Sequence, residues 1–346
     1  MKTSLRFSQL SKNIFRISAI AALMLTANFT QAQGTRNPVA RFNESVKNSI
    51  KPGKSDIDGD GVPDSNDAYP QDATKAFNNC YPAKGMSTLL FEDLWPFKGD
   101  YDFNDLVVDY RFNTITDASN NVTQIDYKFL LKASGAVAKN GFAFQLDGIA
   151  SDKILSVAGN RMTPGWSALN NNGTEAGQAV NANIIVFDYA SKIFNGSVPA
   201  GSTANTFINS PLYKADTITI SVKFYPGKLS FATLTPLKFN PYLIADQNRG
   251  REVHLPNRMP SAKMDVSWFG KGDDNSNIAK GIYFKAKNNQ PWALEISSSI
   301  PYAQEKVDFS KAYPNFFSWG ESKGKNNTDW FTDKPGNRDL SKLYLK

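Results

Sequence analysis

Twelve residues from Asp56 to Asp67 place carboxylates at positions 1, 3, 5, 9 and 12 of a loop, as Asp56, Asp58, Asp60, Asp64 and Asp67. Gly61 stands at position 6, where a calcium loop turns sharply and a glycine meets no steric cost. Val62 at position 7 is placed to offer its backbone carbonyl. Calcium wants about six to eight oxygens at ~2.3–2.6 Å, and without a cation these acid groups would repel one another. The spacing therefore predicts calcium as the cofactor, with Asp56, Asp58, Asp60, Val62, Asp64 and Asp67 as ligands. The aspartate at position 12 is shorter than the usual glutamate and changes the partition between direct and water-mediated ligands there.

A second acidic segment packs Glu92, Asp93, Asp100, Asp102, Asn104 and Asp105 among aromatic and aliphatic residues, with Lys98 the only cation near in sequence. Carboxylates close to a core are costly unless paired or metal-bound. Asp100, Asp102 and Asn104 at spacing two, followed by Asp105, could converge on one cation at a strand entrance. The alternative reading is that they cap turns and backbone amides, which Asp and Asn do readily. Asp273 and Asp274 read as a turn.

Catalytic signatures are sparse. His254 is the only histidine, so a zinc site with several imidazoles is impossible, and its setting suits a structural, hydrogen-bonded role. Neither a nucleophile elbow nor a zincin motif occurs. A glycoside hydrolase needs only two carboxylates, and Glu92 with Asp93, Asp100 or Glu295 is the enzymatic alternative. Carboxylates held by calcium stay ionised and make poor general acids, so the reading is a binding module, not an enzyme. Its expected partner is an extracellular glycan or protein. A purely structural matrix or envelope scaffold shares all of these features.

The elements that must position these groups begin with a leader. Lys2, Arg6, Lys12 and Arg16 precede an apolar run from Ile17 to Leu25, the pattern of a secretory signal peptide cleaved after Ala32. The run is too short to span a bilayer, and nothing after it is apolar for long enough to form a transmembrane helix. Loss of residues 1–32 removes four basic and no acidic residues, so the charge falls from +7 to +3. The residual excess gives no reason to expect nucleic-acid binding, which needs clustered Lys and Arg. The expected location is the periplasm, the cell surface or the medium. Cys80 is the only cysteine, so no intramolecular disulfide is possible. It reads as a buried, inert thiol, and no cysteine lies near the cleavage site to carry a lipid anchor.

Residues 33–55 read as a polar linker with a short helix around Asn43 to Ile50, ahead of the acidic loop. Beyond Phe77, short apolar runs alternate with Gly, Asn, Asp and Pro clusters, the pattern of an all-β fold. Period-two alternation is clearest in Thr217 to Phe224 and Gln124 to Leu131. Leu106 to Phe112, Gly141 to Leu146, Ile184 to Tyr189, Tyr242 to Ala245 and Ile282 to Lys285 are further predicted strands. The segment Ala303 to Trp319 has helical spacing interrupted at Pro314. Residues 168–183 and 195–209 are Asn-rich and read as loops. The expected fold class is all-β, an antiparallel β-sandwich or jelly-roll-like domain with a short C-terminal helix, preceded by a calcium-binding loop.

Two family resemblances follow. The acidic loop with its following Asp67-Ala-Tyr-Pro70 resembles a thrombospondin type 3 repeat over residues 56–72, a calcium-wrapped spacer of exported proteins that usually comes in series and is single here. The segment FEDLWPFKGDYDFNDLVVDY resembles the signature of the LruC-type domain of exported bacterial proteins. Glu252 to Pro256, Gly272 to Ser276, Pro291 to Leu294 and Ala312 to Phe316 with Trp319 look like its downstream blocks, so this resemblance covers residues 80–346. It implies a β-rich secreted or surface domain, often placed after calcium-binding spacers, with no established catalytic activity.

Overall fold

In the computed structural model, residues 55–346 are described except for 197 and 200. The predicted signal peptide, the helix at 43–50 and all of the linker before Ser55 lie outside the described residues. Ser55–Lys346 form one compact unit, so the acidic loop belongs to the same body as the strands.

Alternation did its work in two strands, β4 (Val122–Ala133) and β10 (Ile218–Phe224). Ile218, Ile220, Val222 and Phe224 are buried while Thr219 and Lys223 face out. These two pair antiparallel, with Ile220 opposite Tyr127, and belong to a seven-stranded sheet. The rest of that sheet comprises β1 (Phe77–Tyr81), β2 (Ser87–Phe91), β3 (Leu106–Thr116), β6 (Ile154–Ala158) and β13 (Ala293–Ile296). Its order is β13-β2-β3-β4-β10-β6. β2 and β1 share one edge of β3 end to end, Phe91 pairing Leu106 and Tyr81 pairing Phe112. A four-stranded sheet follows the order β12-β11-β5-β7, built from β5 (Gly141–Leu146), β7 (Ala182–Phe187), β11 (Phe239–Ile244) and β12 (Glu252–His254). A short ribbon pairs β8 (Phe194–Asn195) with β9 (Lys214–Ala215).

The two large sheets form a β-sandwich whose interior is largely aromatic. Tyr127 meets Phe144 at 4.5 Å between ring centroids, Tyr110 meets Phe239 at 5.0 Å, and Phe129 meets Phe142 at 5.2 Å. Such tilted and edge contacts are the preferred aromatic geometry and add to the area they bury. A second core lies on the opposite face of β2 and β3, where Leu90 and Val107 pack with Tyr101, Phe103, Phe309, Phe316 and Trp330. β2 is therefore buried on both faces, which is why its sequence Ser-Thr-Leu-Leu-Phe shows no alternation.

The C-terminal segment supplies that second core. The helix predicted over 303–319 is two short ones, α1 (Phe309–Ala312) and α2 (Phe316–Glu321), separated around Pro314 as the ring requires. Asp308 caps α1 by accepting from the Ser310 amide at 3.0 Å.

Two local expectations are corrected. Ile282 to Lys285 is no strand: Phe284 has φ +51°, which interrupts extended backbone, and the segment makes only isolated bridges. Cys80 is exposed, not buried, because β1 lies at the sheet edge and turns Asn78 and Cys80 outward. The first strand of the described residues, β1, begins at Phe77, where the sequence changes to short apolar runs.

Candidate metal centres

The acidic loop is folded by its own backbone amides. Gly59 and Gly61 have φ +77° and +93°, conformations that glycine adopts without strain, and their amides donate to Asp56 Oδ1 at 2.9 Å and Asp56 Oδ2 at 3.1 Å. Val62 N donates to Asp60 Oδ1 at 2.7 Å, Tyr69 N to Asp67 Oδ1 at 2.6 Å and Ile57 N to Asp64 Oδ1 at 2.9 Å. Asp60 N donates to Asp58 Oδ1 at 3.3 Å, and the second oxygens Asp58 Oδ2, Asp60 Oδ2 and Asp67 Oδ2 are buried without a partner. Carboxylate oxygens of Asp56, Asp58 and Asp60 come within 4.8 Å of one another. Burial, with the negative charges of Asp58, Asp67 and Asp56, raises the Asp60 carboxyl above its ordinary range. The loop is fastened to the sheet: Ala68 N reaches Ala76 O at 2.8 Å, and Ala76 N reaches Thr116 O at the end of β3 at 2.7 Å.

The second centre sits where β2 leaves the sheet and β3 enters it. Tyr101 and Phe103 have φ +60° and +56°, sparsely populated for bulky residues, and their rings are pinned in the second core at 4.7 Å from each other. That bent backbone brings Asp100 and Asp102 to Glu92, their oxygens lying within 4.8 Å of one another. Glu92 is fully buried; its Oε1 accepts from Phe103 N at 2.5 Å and its Oε2 has no partner. Asp102, 1% exposed, accepts from Asn104 N at 3.1 Å and, across the chain, from Lys306 N at 2.8 Å. Glu305, next to that lysine, has a buried Oε2 without a partner.

The other predicted residues are arranged differently. Asp105 accepts from Asp93 N at 2.8 Å, and Asp93 accepts from Asn140 Nδ2 at 2.8 Å, so this pair forms its own polar contact beside the centre. Asn104 donates to Ala303 O at 3.2 Å, and its Oδ1 lies over Gly135, where a Cβ would come within 1.9 Å of it. The structure thus brings Asp100 and Asp102 together with Glu92. Glu92 stood in the acidic segment but outside the predicted ligand set, and Glu305 carried no local signal.

Electrostatics at this centre are one-sided. Burial raises Glu92 well above its ordinary range, and Asp105 and Asp102 add to the effect. Burial also pushes Asp102 up to about 7, with Asp100 adding to it. Asp93, Asp105 and Glu305 are raised as well, each mainly by burial. Arg251 offsets Asp93, but Lys98 points elsewhere, 5.2 Å above the Tyr101 ring and 3.5 Å from Asp308. A divalent cation would remove this strain directly, since it restores the ionised form of every carboxylate around it.

A third cluster is already neutralised. Arg249 holds Glu175 through two contacts of 2.7 Å and also pairs with Glu252, while Lys263 reaches Glu175 at 3.0 Å. His254 is fully buried, its Nε2 2.8 Å from Glu252 and its Nδ1 2.9 Å from Asn240, stacked 4.4 Å from Tyr242. Burial alone would raise Glu252, but His254 and Arg249 outweigh it and hold the carboxyl at about 2. A folded value below the unfolded one stabilises above ~4.5 and loses that contribution as pH falls from ~4.5 towards ~2. Glu252 is therefore expected to contribute about 3 kcal/mol at neutral pH by linkage. Comparing urea midpoints of the wild type and Glu252→Gln between pH 3 and 6 checks this: the gap between them should narrow as the solution is acidified.

Comparisons with known proteins bear on the fold. The family model described as "Domain of unknown function (DUF4842)" matches residues 120–331, more than half of the chain. A crystal structure described as that of a "Putative lipoprotein from Bacteroides ovatus" superposes with a TM-score of 0.56 at 15% identity, covering 78% of this chain and 76% of that one. No curated protein sequence matches the chain. The matched region begins after both acidic centres, apart from Glu305.

Proposed function

For a chain that belongs to the family described as Domain of unknown function (DUF4842), we propose an exported calcium-binding protein that acts as a surface or secreted binding module. One observation carries the calcium reading. The Oε2 atom of fully buried Glu92 has no hydrogen-bond partner and lies among carboxylates, with no lysine or arginine side chain in contact with it among the described residues. An unpaired buried charge of this kind is costly, and a hard cation held by Glu92, Asp100 and Asp102 would satisfy it. Glu305 is close enough to feel Asp100 and is the further candidate at this centre. The loop offers the second cation the oxygens of Asp56, Asp58 and Asp60. The donor set is all oxygen, which suits calcium over zinc or copper.

Export is supported by the leader-like first 32 residues and by the resemblance of the fold to a protein described as a lipoprotein. Among the described residues, no helix is long and apolar enough to cross a membrane. The finer assignment, an LruC-type domain behind a single thrombospondin type 3-like repeat, is part of the same proposal. Its support is the placement of residues 56–72 directly ahead of β1.

Calcium titration calorimetry tests the cation reading. The wild type should bind two ions, and Asp60→Ala and Glu92→Gln should each lose one while retaining the other. Glu92→Gln keeps an acceptor for the Phe103 amide and removes the charge, so the protein should remain folded. Absence of any heat of calcium binding in the wild type, with an unchanged melting temperature in chelator, would overturn the reading.

A further inference from the structure

The second centre lies between two stretches of chain that meet only in the fold. On one side, Glu92 to Asp105 joins β2 to β3; on the other, Ala303 to Asp308 leads into α1 and the second core. Across this seam, Lys306 N donates to Asp102 Oδ2 at 2.8 Å, Asn104 Nδ2 to Ala303 O at 3.2 Å, and Phe309 N to Tyr101 O at 2.9 Å. Lys306, with φ +62°, joins Tyr101 and Phe103 in left-handed backbone, so sparsely populated conformations flank the acidic groups on both stretches.

Glu305 is placed by the same seam. Its amide donates to Thr206 O at 3.1 Å, and the Thr206 side chain holds its carboxylate. The remaining oxygen, Oε2, is shielded from water and has no partner. Its charge acts on Asp102, and the charge of Asp100 acts on it. Two unpartnered carboxylate oxygens, those of Glu92 and Glu305, therefore border one acidic group from stretches about two hundred residues apart, as the separation of 204 between Asp102 and Lys306 shows. Calcium takes about six to eight oxygens, yet both oxygens of Asp102 and Oε1 of Glu92 already accept backbone amides. Glu92, Asp100 and Asp102 alone leave such a shell short.

Resting on the calcium reading above, we infer that Glu305 completes the second centre as a ligand and that the ion latches the chain from Ala303 onward to the sheet. Removal of the ion leaves the carboxylates of Glu92, Asp100, Asp102 and Glu305 repelling one another across the seam. Phe309, Phe316 and Trp330 then loosen from Leu90 and Val107, since a metal clip between parts so distant in sequence removes much chain freedom. Calcium thereby regulates the cover over the outer face of β2 and β3, while the sandwich interior keeps its own core.

The test uses the full chain carrying Asp60→Ala, so that the second centre is the site left to fill. Calcium should slow amide exchange across α1 and α2 about tenfold or more and leave β10 unchanged. Adding Glu305→Ala should weaken calcium about tenfold or more and abolish that protection at a calcium concentration that gives it otherwise. The same change should add at least one water to bound Tb³⁺, counted from luminescence lifetimes in H2O and D2O; a neighbouring charge that is no ligand would leave that count unchanged. Glu305→Gln keeps the size of the side chain and should also weaken calcium, which serves if the alanine variant unfolds. No calcium binding to Asp60→Ala overturns the cation reading and the latch together. Calcium binding with an unchanged water count in Glu305→Ala, with unchanged affinity in Glu305→Gln, or with equal exchange of α1 and α2 in calcium and chelator, overturns the latch alone.

Discussion

Arg249→Met is expected to destabilise the folded chain by about 3–5 kcal/mol, the range for removing one partner of a buried ion pair. The reason is what it leaves behind. Arg249 is the cation shared by Glu175 and Glu252, both of whose side chains are completely buried, and it also donates to Tyr242 at 2.9 Å and Ser261 at 3.1 Å. Without it, two carboxylates lose their principal counter-charge in a place water does not reach. Lys263, the remaining cation on Glu175, is 29% exposed and cannot replace a planar, bidentate guanidinium. Equilibrium urea unfolding at pH 7 measures the loss, and Lys263→Met should cost less than about 1 kcal/mol in the same experiment. A loss below about 1 kcal/mol for Arg249→Met would mean that the carboxylates are satisfied without it.

Calcium removal should have the next largest effect, and its size should depend on pH. If each site binds with a dissociation constant of ~10⁻⁴–10⁻³ M, as extracellular modules do, 1 mM calcium adds about 0.4–1.4 kcal/mol per site. Two sites together then raise the melting temperature by several degrees, at ~2–4 °C per kcal/mol for a chain of this size. In the absence of calcium, the Asp102 carboxyl at about 7 holds its proton more tightly than in the unfolded chain. A raised folded value stabilises fully below the unfolded one, near 3.8, and that stabilisation is lost as pH rises through about 7. The cation-free protein therefore weakens between pH 4 and 7, where calcium gains by displacing protons. Melting curves in chelator and in calcium should differ least at pH 5, where the loop site alone still contributes, and separate most at pH 8. A separation that is constant with pH would show that the buried carboxylates are not the ones calcium engages.

How legible these features were depends on the distance over which each is specified. Gly141 to Leu146 was predicted with the bounds that β5 has, and β4 and β10 were visible because one face of each is wet. β2 and β13 were missed. β2 packs on both faces, while β13 offers four residues of which only Glu295 is exposed, too short for a period to declare itself. Ile282 to Lys285 had strand composition, yet the left-handed backbone at Phe284 breaks it. Cys80 followed the general tendency of free cysteines to be buried, which an edge strand overrides.

The chain's own order of residues determined the acidic loop, because its carboxylates are spaced within twelve positions and a local turn with glycine at the sixth is enough to gather them. It also determined the β class, through apolar alternation and turn residues. Tertiary structure alone decided the second centre: Glu92 follows one strand, Asp100 and Asp102 precede the next, and Lys306, whose amide binds Asp102, arrives from some two hundred residues away with Glu305 beside it. Contacts of that kind are set by which faces pack together, and a sequence read in one dimension carries the period of each face but not its partner.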